Sequence, residues 1–440
     1  MKVLFIHPKA CDRAGCCHAV AYLSAALKEA GHETALISVD TKSATPSGDD
    51  ELLTRVNKEK PGLIGFAVDA GMFPHAAAAA GRIRRAFAHI PIVIGGIHAT
   101  DDPQGALETG LFDYACVGEG EEALLELVEA LRAGDDTTGI ADIWARKDGT
   151  VISNAARGPK AHVKTLPVDY EIFDFQRIID ENGGKVSLWV CGGAGSRSGI
   201  AGQRDVDEIV SEVRRLVTRY GNIKRFFFED NLCAQDTAYV REFARKYRET
   251  TDVPFVCGAD ARCFDGETAG VLAGGGCVAV EFTLASGGED VPVKALEKAC
   301  AAAGGAGLAT SVSVTMGLAG ESEKDLADTA ELLARMSPGR IRWAVHAKAD
   351  NSKAAGLKRA KMRVACPWYV NAYSEDDLVS RLYSRLVRVL DGLDAEAFGD
   401  FAREVARLDD LLHQVLVRAG HEHYSLGHDD CTAVRSTWKE

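Results

Sequence analysis

Residues 2–40, KVLFIHPKACDRAGCCHAVAYLSAALKEAGHETALISVD, read as an apolar run (2–8), a helical segment (19–33) and a second apolar run (34–40). The rhythm continues outward through GLIGFAV (62–68), IPIVIGG (90–96) and DYACVG (113–118), with Ala-, Leu- and Arg-rich stretches between them. Short apolar strands alternating with helices predict a doubly wound α/β domain built on a parallel sheet over residues 1–135. Such sheets bind ligands beyond the carboxyl ends of their strands. The sequence places His7-Pro8, Val68-Asp69-Ala70-Gly71, Gly95-Gly96-Ile97-His98 and Gly118-Glu119-Gly120 there. Glycine lets a backbone approach a bulky ligand closely. No G-x-x-x-x-G-K-[ST] is present, which disfavours a nucleoside triphosphate.

Residues 136–180 read as a connector. Its Lys147-Asp148-Gly149 predicts a tight hairpin, because an Asp-Gly pair between apolar runs suits a two-residue turn. From residue 181 the strand–helix rhythm restarts, with strands expected at 185–191, 223–229, 253–258, 277–284, 308–315 and 340–346. Six consecutive βα units predict a partial (βα)6 TIM-like barrel over 181–350, with its active face at the carboxyl strand ends. Residues 351–440 change to amphipathic helical patterns (374–393 and 396–420), which predict a helical C-terminal region ending in a solvated tail.

The chain has 440 residues, 46% of them hydrophobic, enough to fill the cores of two or three domains. A formal charge of −13 without a basic stripe argues against a nucleic-acid partner. No run approaches the ~20 apolar residues that span a bilayer, and the start MKVLFIHPKACDR carries no signal-peptide pattern. No membrane association and a cytoplasmic location are expected. The twelve cysteines include no C-x2-C pair and fit reduced thiols better than disulfides, Cys11, Cys16 and Cys17 among them.

Taken together, GGIHATDDP (95–103), DYACVGEGEEALLELVEAL (113–131), FFFEDNLCAQD (226–236), AGGGCVAVEFTLASG (273–287) and VTMGLAGESEKDLADT (314–329) fall in the order found in one family. The chain resembles the cobalamin (B12)-dependent radical S-adenosylmethionine (SAM) enzymes over nearly its whole length. The resemblance implies an N-terminal Rossmann-like cobalamin-binding domain, a barrel of radical SAM type and an accessory C-terminal region. Val68, Asp69, Gly95, Gly96, His98, Gly118, Glu119 and Gly120 fall on the cobalamin side, and no D-x-H-x-x-G supplies a histidine beneath the cobalt.

The departures bear on chemistry. Where the family carries its C-x3-C-x2-C cluster loop, this chain has Cys191, Gly195 and Ser198, so two of the three cluster cysteines are missing. The family's Glu-Ser on the fourth barrel strand, placed to hold the SAM ribose, is Ala285-Ser286 here. No iron–sulfur cluster is therefore expected, and SAM is not an expected cofactor. The expectation is an enzyme that uses cobalamin directly on a small-molecule substrate between the two domains, by methyl transfer or carbon-centred cobalt chemistry. Glu229 or Asp230 would be the general base, His346 the general acid and Arg262 an anion clamp.

The alternative is a non-catalytic cobalamin-binding pseudoenzyme that senses, stores or scaffolds, favoured if Trp189, Phe282 and Trp343 fill the barrel. No metal-ligand set is assigned, although Cys191, Cys233 and Cys257 at three strand ends offer a relocated metal site.

Overall fold

A computed structural model describes residues 1–9, 17–40, 46–68, 72–157, 167–190, 204–231, 237–285, 293–316, 332, 340–346 and 373–375. Two compact units emerge: residues 1–186 with 190–223, and residues 187–189 with those from 224 onward. Each is organised by one sheet.

In the first, five strands run parallel in the order β2 (Glu33–Asp40), β1 (Lys2–Lys9), β3 (Leu63–Ala67), β4 (Ile92–Gly95), β5 (Tyr114–Cys116). The helices between and after them are α1 (His18–Glu29), α2 (Pro46–Glu59), α3 (Phe73–Ala86), the short α4 (Ile97–Asp101) and α5 (Pro103–Glu108), and α6 (Glu121–Ala133). The expected doubly wound fold is present, and burial explains the strand sequences. Leu4, Ile6, Ile64, Phe66, Ile92 and Ile94 are buried in a core shared with Ala76, Ala79, Ala80 and Ile83 of α3. A strand covered on both faces has no polar side to alternate with.

The expected hairpin forms from β6 (Ile143–Lys147) and β7 (Thr150–Ile152), turning through Asp148 (φ 50°) and Gly149 (φ 79°). Positive φ at both positions is the type I′ signature. β6 pairs antiparallel with β5, so the stretch read as a connector extends the first sheet by two strands.

The second sheet runs β8 (Lys185–Leu188), β9 (Arg225–Asn231), β10 (Phe255–Ala259), β11 (Cys277–Ala285), β12 (Ala309–Met316), β13 (Arg340–His346), β14 (Tyr373–Glu375). All six expected barrel strands are present, and β9 to β13 pair in parallel. Before β8 lie a 3-10 turn (Tyr170–Ile172) and α7 (Phe175–Glu181); the later helices are α8 (Val206–Arg219), α9 (Thr237–Thr250), α10 (Gly266–Gly274) and α11 (Val293–Gly305). Ser374 and Glu375, read as the start of a helix, instead pair antiparallel with β13. The edge of a sheet offers unpaired backbone groups that a passing strand can satisfy. The rest of the expected C-terminal helical region lies outside the described residues.

The two faces of this sheet differ. Phe226, Phe228, Phe255, Cys257, Val280, Phe282, Leu284 and Val312 are buried, with Phe228 and Phe255 edge-on to Phe243 of α9. Between them in sequence stand Gly258, Glu281, Thr283, Ser311 and Ser313.

A buried polar network ties α1, the 3-10 turn and α8 together within the first unit. Arg204 and Glu212 are 3% and 2% exposed and pair at 2.6 Å. The Tyr170 hydroxyl donates to the same carboxylate, and the guanidinium lies 5.9 Å from the Tyr22 ring. Burial works against the arginine's charge, but the Glu212 carboxylate outweighs it and holds the guanidinium above its ordinary value. One residue earlier, Asp169 accepts from Ser24 (2.5 Å) and pairs with Lys28 (2.6 Å), both on α1. The Arg204 N–H also donates to the Val190 carbonyl at 3.0 Å.

Removing one member of a buried ion pair strands its partner's charge, at a cost of about 3–5 kcal/mol. Glu212→Ala is expected to cost that much in urea denaturation. Combining it with Arg204→Met should cost less than the sum of the two single changes. Additive losses would show that the pair is not coupled.

Candidate functional site

The strand order of the first sheet reverses at β1 and β3, the position where doubly wound sheets open a ligand crevice at their carboxyl ends. Just beyond β3, Val68 is clasped to the end of β4: its N–H donates to Gly95 O at 3.0 Å, and its carbonyl accepts from His98 N at 3.2 Å. Gly96 adopts φ 90°, and a Cβ there would lie 2.6 Å from Val68 O and 2.8 Å from Val68 N. The space that glycine provides at 96 is therefore taken by the chain's own backbone. This changes the expected reason for glycine at 96, from room for a ligand to a requirement of the turn. His98 is buried, its ring on Phe73 with centroids 3.9 Å apart.

The next turn, beyond β5, is open. Gly118 has φ 81°, and among the described residues an added Cβ would meet nothing within 4 Å. At Gly120 the Cβ would meet Leu23 at 3.1 Å. Between them Glu119 is half-buried, and burial, helped by neighbouring Glu121, pushes its carboxyl up to about 7. Cys116 behind this turn is buried, which pushes its thiol up to about 12 and keeps it protonated. The sequence reading missed Thr100, whose hydroxyl donates to Gly96 O (3.1 Å) and accepts from Gly118 N–H (3.0 Å). The signal lay inside GGIHATDDP, where a threonine follows the glycine turn by one helical turn. Asp69 lies outside the described residues.

In the second sheet Glu229 and Asp230 fall near the end of β9 and His346 at the end of β13, the same end of two parallel strands; their side chains lie outside the described set. Arg262, expected as an anion clamp, is engaged by its neighbour. Its Nε and Nη2 donate to the Asp260 carboxylate at 2.5–3.0 Å, which holds Asp260 below the usual carboxylate range. The guanidinium is 60% exposed.

Cys257 is buried with its sulfur 4.0 Å from that of Cys277, in the core rather than at the strand ends. Cys191 and Cys233 lie outside the described residues, among which no group of three His, Cys, Asp or Glu could hold a metal. Phe282 is fully buried and edge-on to Phe264 at 5.1 Å. Glu281, also missed, accepts from the buried Ser311 hydroxyl at 3.3 Å. Its signal was the polar position inside the period-two pattern VAVEFTLA (278–285).

Residues 14–128 match the B12 binding domain family. The chain is 22% identical over 283 residues to an uncharacterized methyltransferase, PH0819, of Pyrococcus horikoshii, a match covering 61% of this chain and 60% of that protein. Its fold is that of the radical SAM methyltransferase TsrM from Kitasatospora setae, solved with cobalamin and a [4Fe-4S] cluster (TM-score 0.64, 18% identity, 78% of this chain and 72% of that one). It is also that of the cobalamin-dependent SAM radical enzyme OxsB with aqua-cobalamin bound (TM-score 0.63, 15% identity, 76% and 52%). The resemblance read from the sequence holds for the fold, and the match to the B12 binding domain family falls within the first unit. Among the described residues, no helix is long and apolar enough to cross a membrane.

A carboxyl whose folded value is raised binds its proton more tightly in the native state, so it destabilises the fold once deprotonated. The contribution of Glu119 to stability should therefore be fullest below pH 4.5, its ordinary value, and fall as pH rises toward about 7. The fall should be roughly 1 kcal/mol, allowing for partial exposure. Thermal melts across that window should show it in the wild type and lack it in Glu119→Gln.

Proposed function

We propose that this chain is a cobalamin-dependent transferase acting on a small molecule, without an iron–sulfur cluster and without reductive SAM cleavage. The observation that carries the reading is the B12 binding domain match over residues 14–128, set against a single thiolate, Cys191, where a cluster loop needs three. Twelve cysteines suit a reducing, cytoplasmic setting.

The described residues fit a corrinoid. The open Gly118 turn lies at a parallel strand end, and the Val68–Gly96 clasp fixes the neighbouring turn. When bound, cobalamin supplies a cobalt that can accept and pass on a methyl group. Gly118 offers open backbone to it beside the Gly95–Gly96 turn, and Glu119, neutral below about pH 7, offers a hydrogen-bond donor. In the second sheet Glu229 or Asp230 takes a proton from the substrate and His346 returns one. Arg262 reaches an anion only by exchanging Asp260 for it, which makes it the weakest of the four assignments.

Titration of the purified protein with hydroxocobalamin, followed by absorbance, should show stoichiometric binding. After anaerobic reconstitution, iron and sulfide should remain far below stoichiometric. A stable cluster held through Cys191 would overturn the cluster-free reading, and failure to bind cobalamin would overturn the cofactor. Glu229→Gln should leave cobalamin bound and lower turnover, by about 10²–10⁴-fold if the carboxylate is the base.

A further inference from the structure

Thr100 joins two turns that no backbone ladder joins directly. Its N–H and its hydroxyl both donate to Gly96 O, each at 3.1 Å, and the same Oγ1 accepts from Gly118 N–H at 3.0 Å. A threonine hydroxyl has one proton to give and two lone pairs to receive with, so one small group ties the exit of β4 to the exit of β5. Both tied residues are glycines at positive φ, 90° and 81°. The Gly96 side of the tie is rigid, because Gly96 is packed against the Val68 backbone. On the Gly118 side an added Cβ would meet no described residue within 4 Å, with Val117 N–H held by Asp142 O and Gly120 O by Leu124 N–H on either side of it.

We propose that Thr100 is the positioning residue of the cobalamin site, setting the distance between the fixed Gly96 turn and the open Gly118 turn against which the corrinoid lies. The inference rests on the cobalamin-binding reading above. Without the hydroxyl, the 118–120 turn must be ordered at the moment of binding. That cost appears in affinity more than in the stability of the free protein.

The test compares hydroxocobalamin affinity, thermal melting and amide exchange at Gly118 in the wild type, Thr100→Val and Thr100→Ser. Valine keeps the branched shape and loses both hydrogen bonds, whereas serine keeps the bonds and loses the methyl group. Thr100→Val should weaken binding roughly tenfold and speed Gly118 exchange, with melting little changed, while Thr100→Ser stays within about twofold of the wild type. Should the valine variant not fold, Thr100→Cys, a much poorer donor, replaces it in the comparison with serine. Equal affinity in the valine or cysteine variant, or serine as weak as either, overturns the positioning role. A wild type that binds no hydroxocobalamin overturns the underlying cofactor reading instead.

Discussion

The approach of Gly96 to Val68 leaves no room for a side chain: a Cβ at 96 would sit 2.6 Å from one backbone atom and 2.8 Å from another. Contacts that short force something to move, so position 96 admits glycine alone at the native geometry. The clasp that results, with Val68 bonded to Gly95 and His98, turns the chain sharply out of β4 into the five-residue α4. Because α4 is so short, its residues stay at the strand ends. Thr100 is thereby delivered to Gly118, and His98 to Phe73. The candidate ligand turns inherit their spacing from one steric requirement two strands away.

Different forces hold the two ends of the first unit. At the strand ends the links are backbone and hydroxyl hydrogen bonds between neutral groups. Each contributes about 1 kcal/mol net and can be exchanged for ligand contacts. Where α1, the 3-10 turn and α8 meet, the links are charged: Lys28 to Asp169, and Arg204 to Glu212 with Tyr170. The Arg204–Glu212 charges, buried deeply, are costly unless every partner is in place, so they tolerate little rearrangement. The links are thus charged where helices are held together and neutral at the strand ends, where the candidate site lies.

The strands were legible because burial on both faces leaves continuous apolar runs, as in IPIVIGG and GLIGFAV, and the hairpin was legible because Asp148-Gly149 suits a turn with two positive φ angles. Glycine at 96 was also visible, but its cause was not. Periodicity reports what one strand buries, and it carries no information on which neighbouring backbone comes within 3 Å. The pairing of Arg262 was hidden for a related reason. Its spacing from Asp260 suits a local fork, and only the bond geometry shows the guanidinium already engaged. Thr100 and Glu281 went unseen because each matters through a partner far along the chain, Gly118 and Ser311. The stretch read as the start of a C-terminal helix became β14 at Ser374 and Glu375 because the edge of β13 outweighs local helical preference there.

The second sheet bears on whether the chain is a catalyst or a scaffold. A barrel packed solid carries branched apolar side chains on its inner face, and a plugged one would also bury its aromatics there. Phe282 is instead fully buried against Phe264, which leads into α10, and it alternates along β11 with Glu281 and Thr283. Thr283 is exposed near the carboxyl end of the nine-residue strand, and Glu281 and Ser313 are only partly buried, whereas Ser311 and Ala279 on the same face are fully buried. Polar groups toward the carboxyl end of this face, reached by water, gain little from hydrophobic burial. A scaffold whose sheet served stability alone would gain from valine or leucine at these positions. Polar groups kept on this face leave it able to meet water or a polar molecule, as the proposed transferase would require.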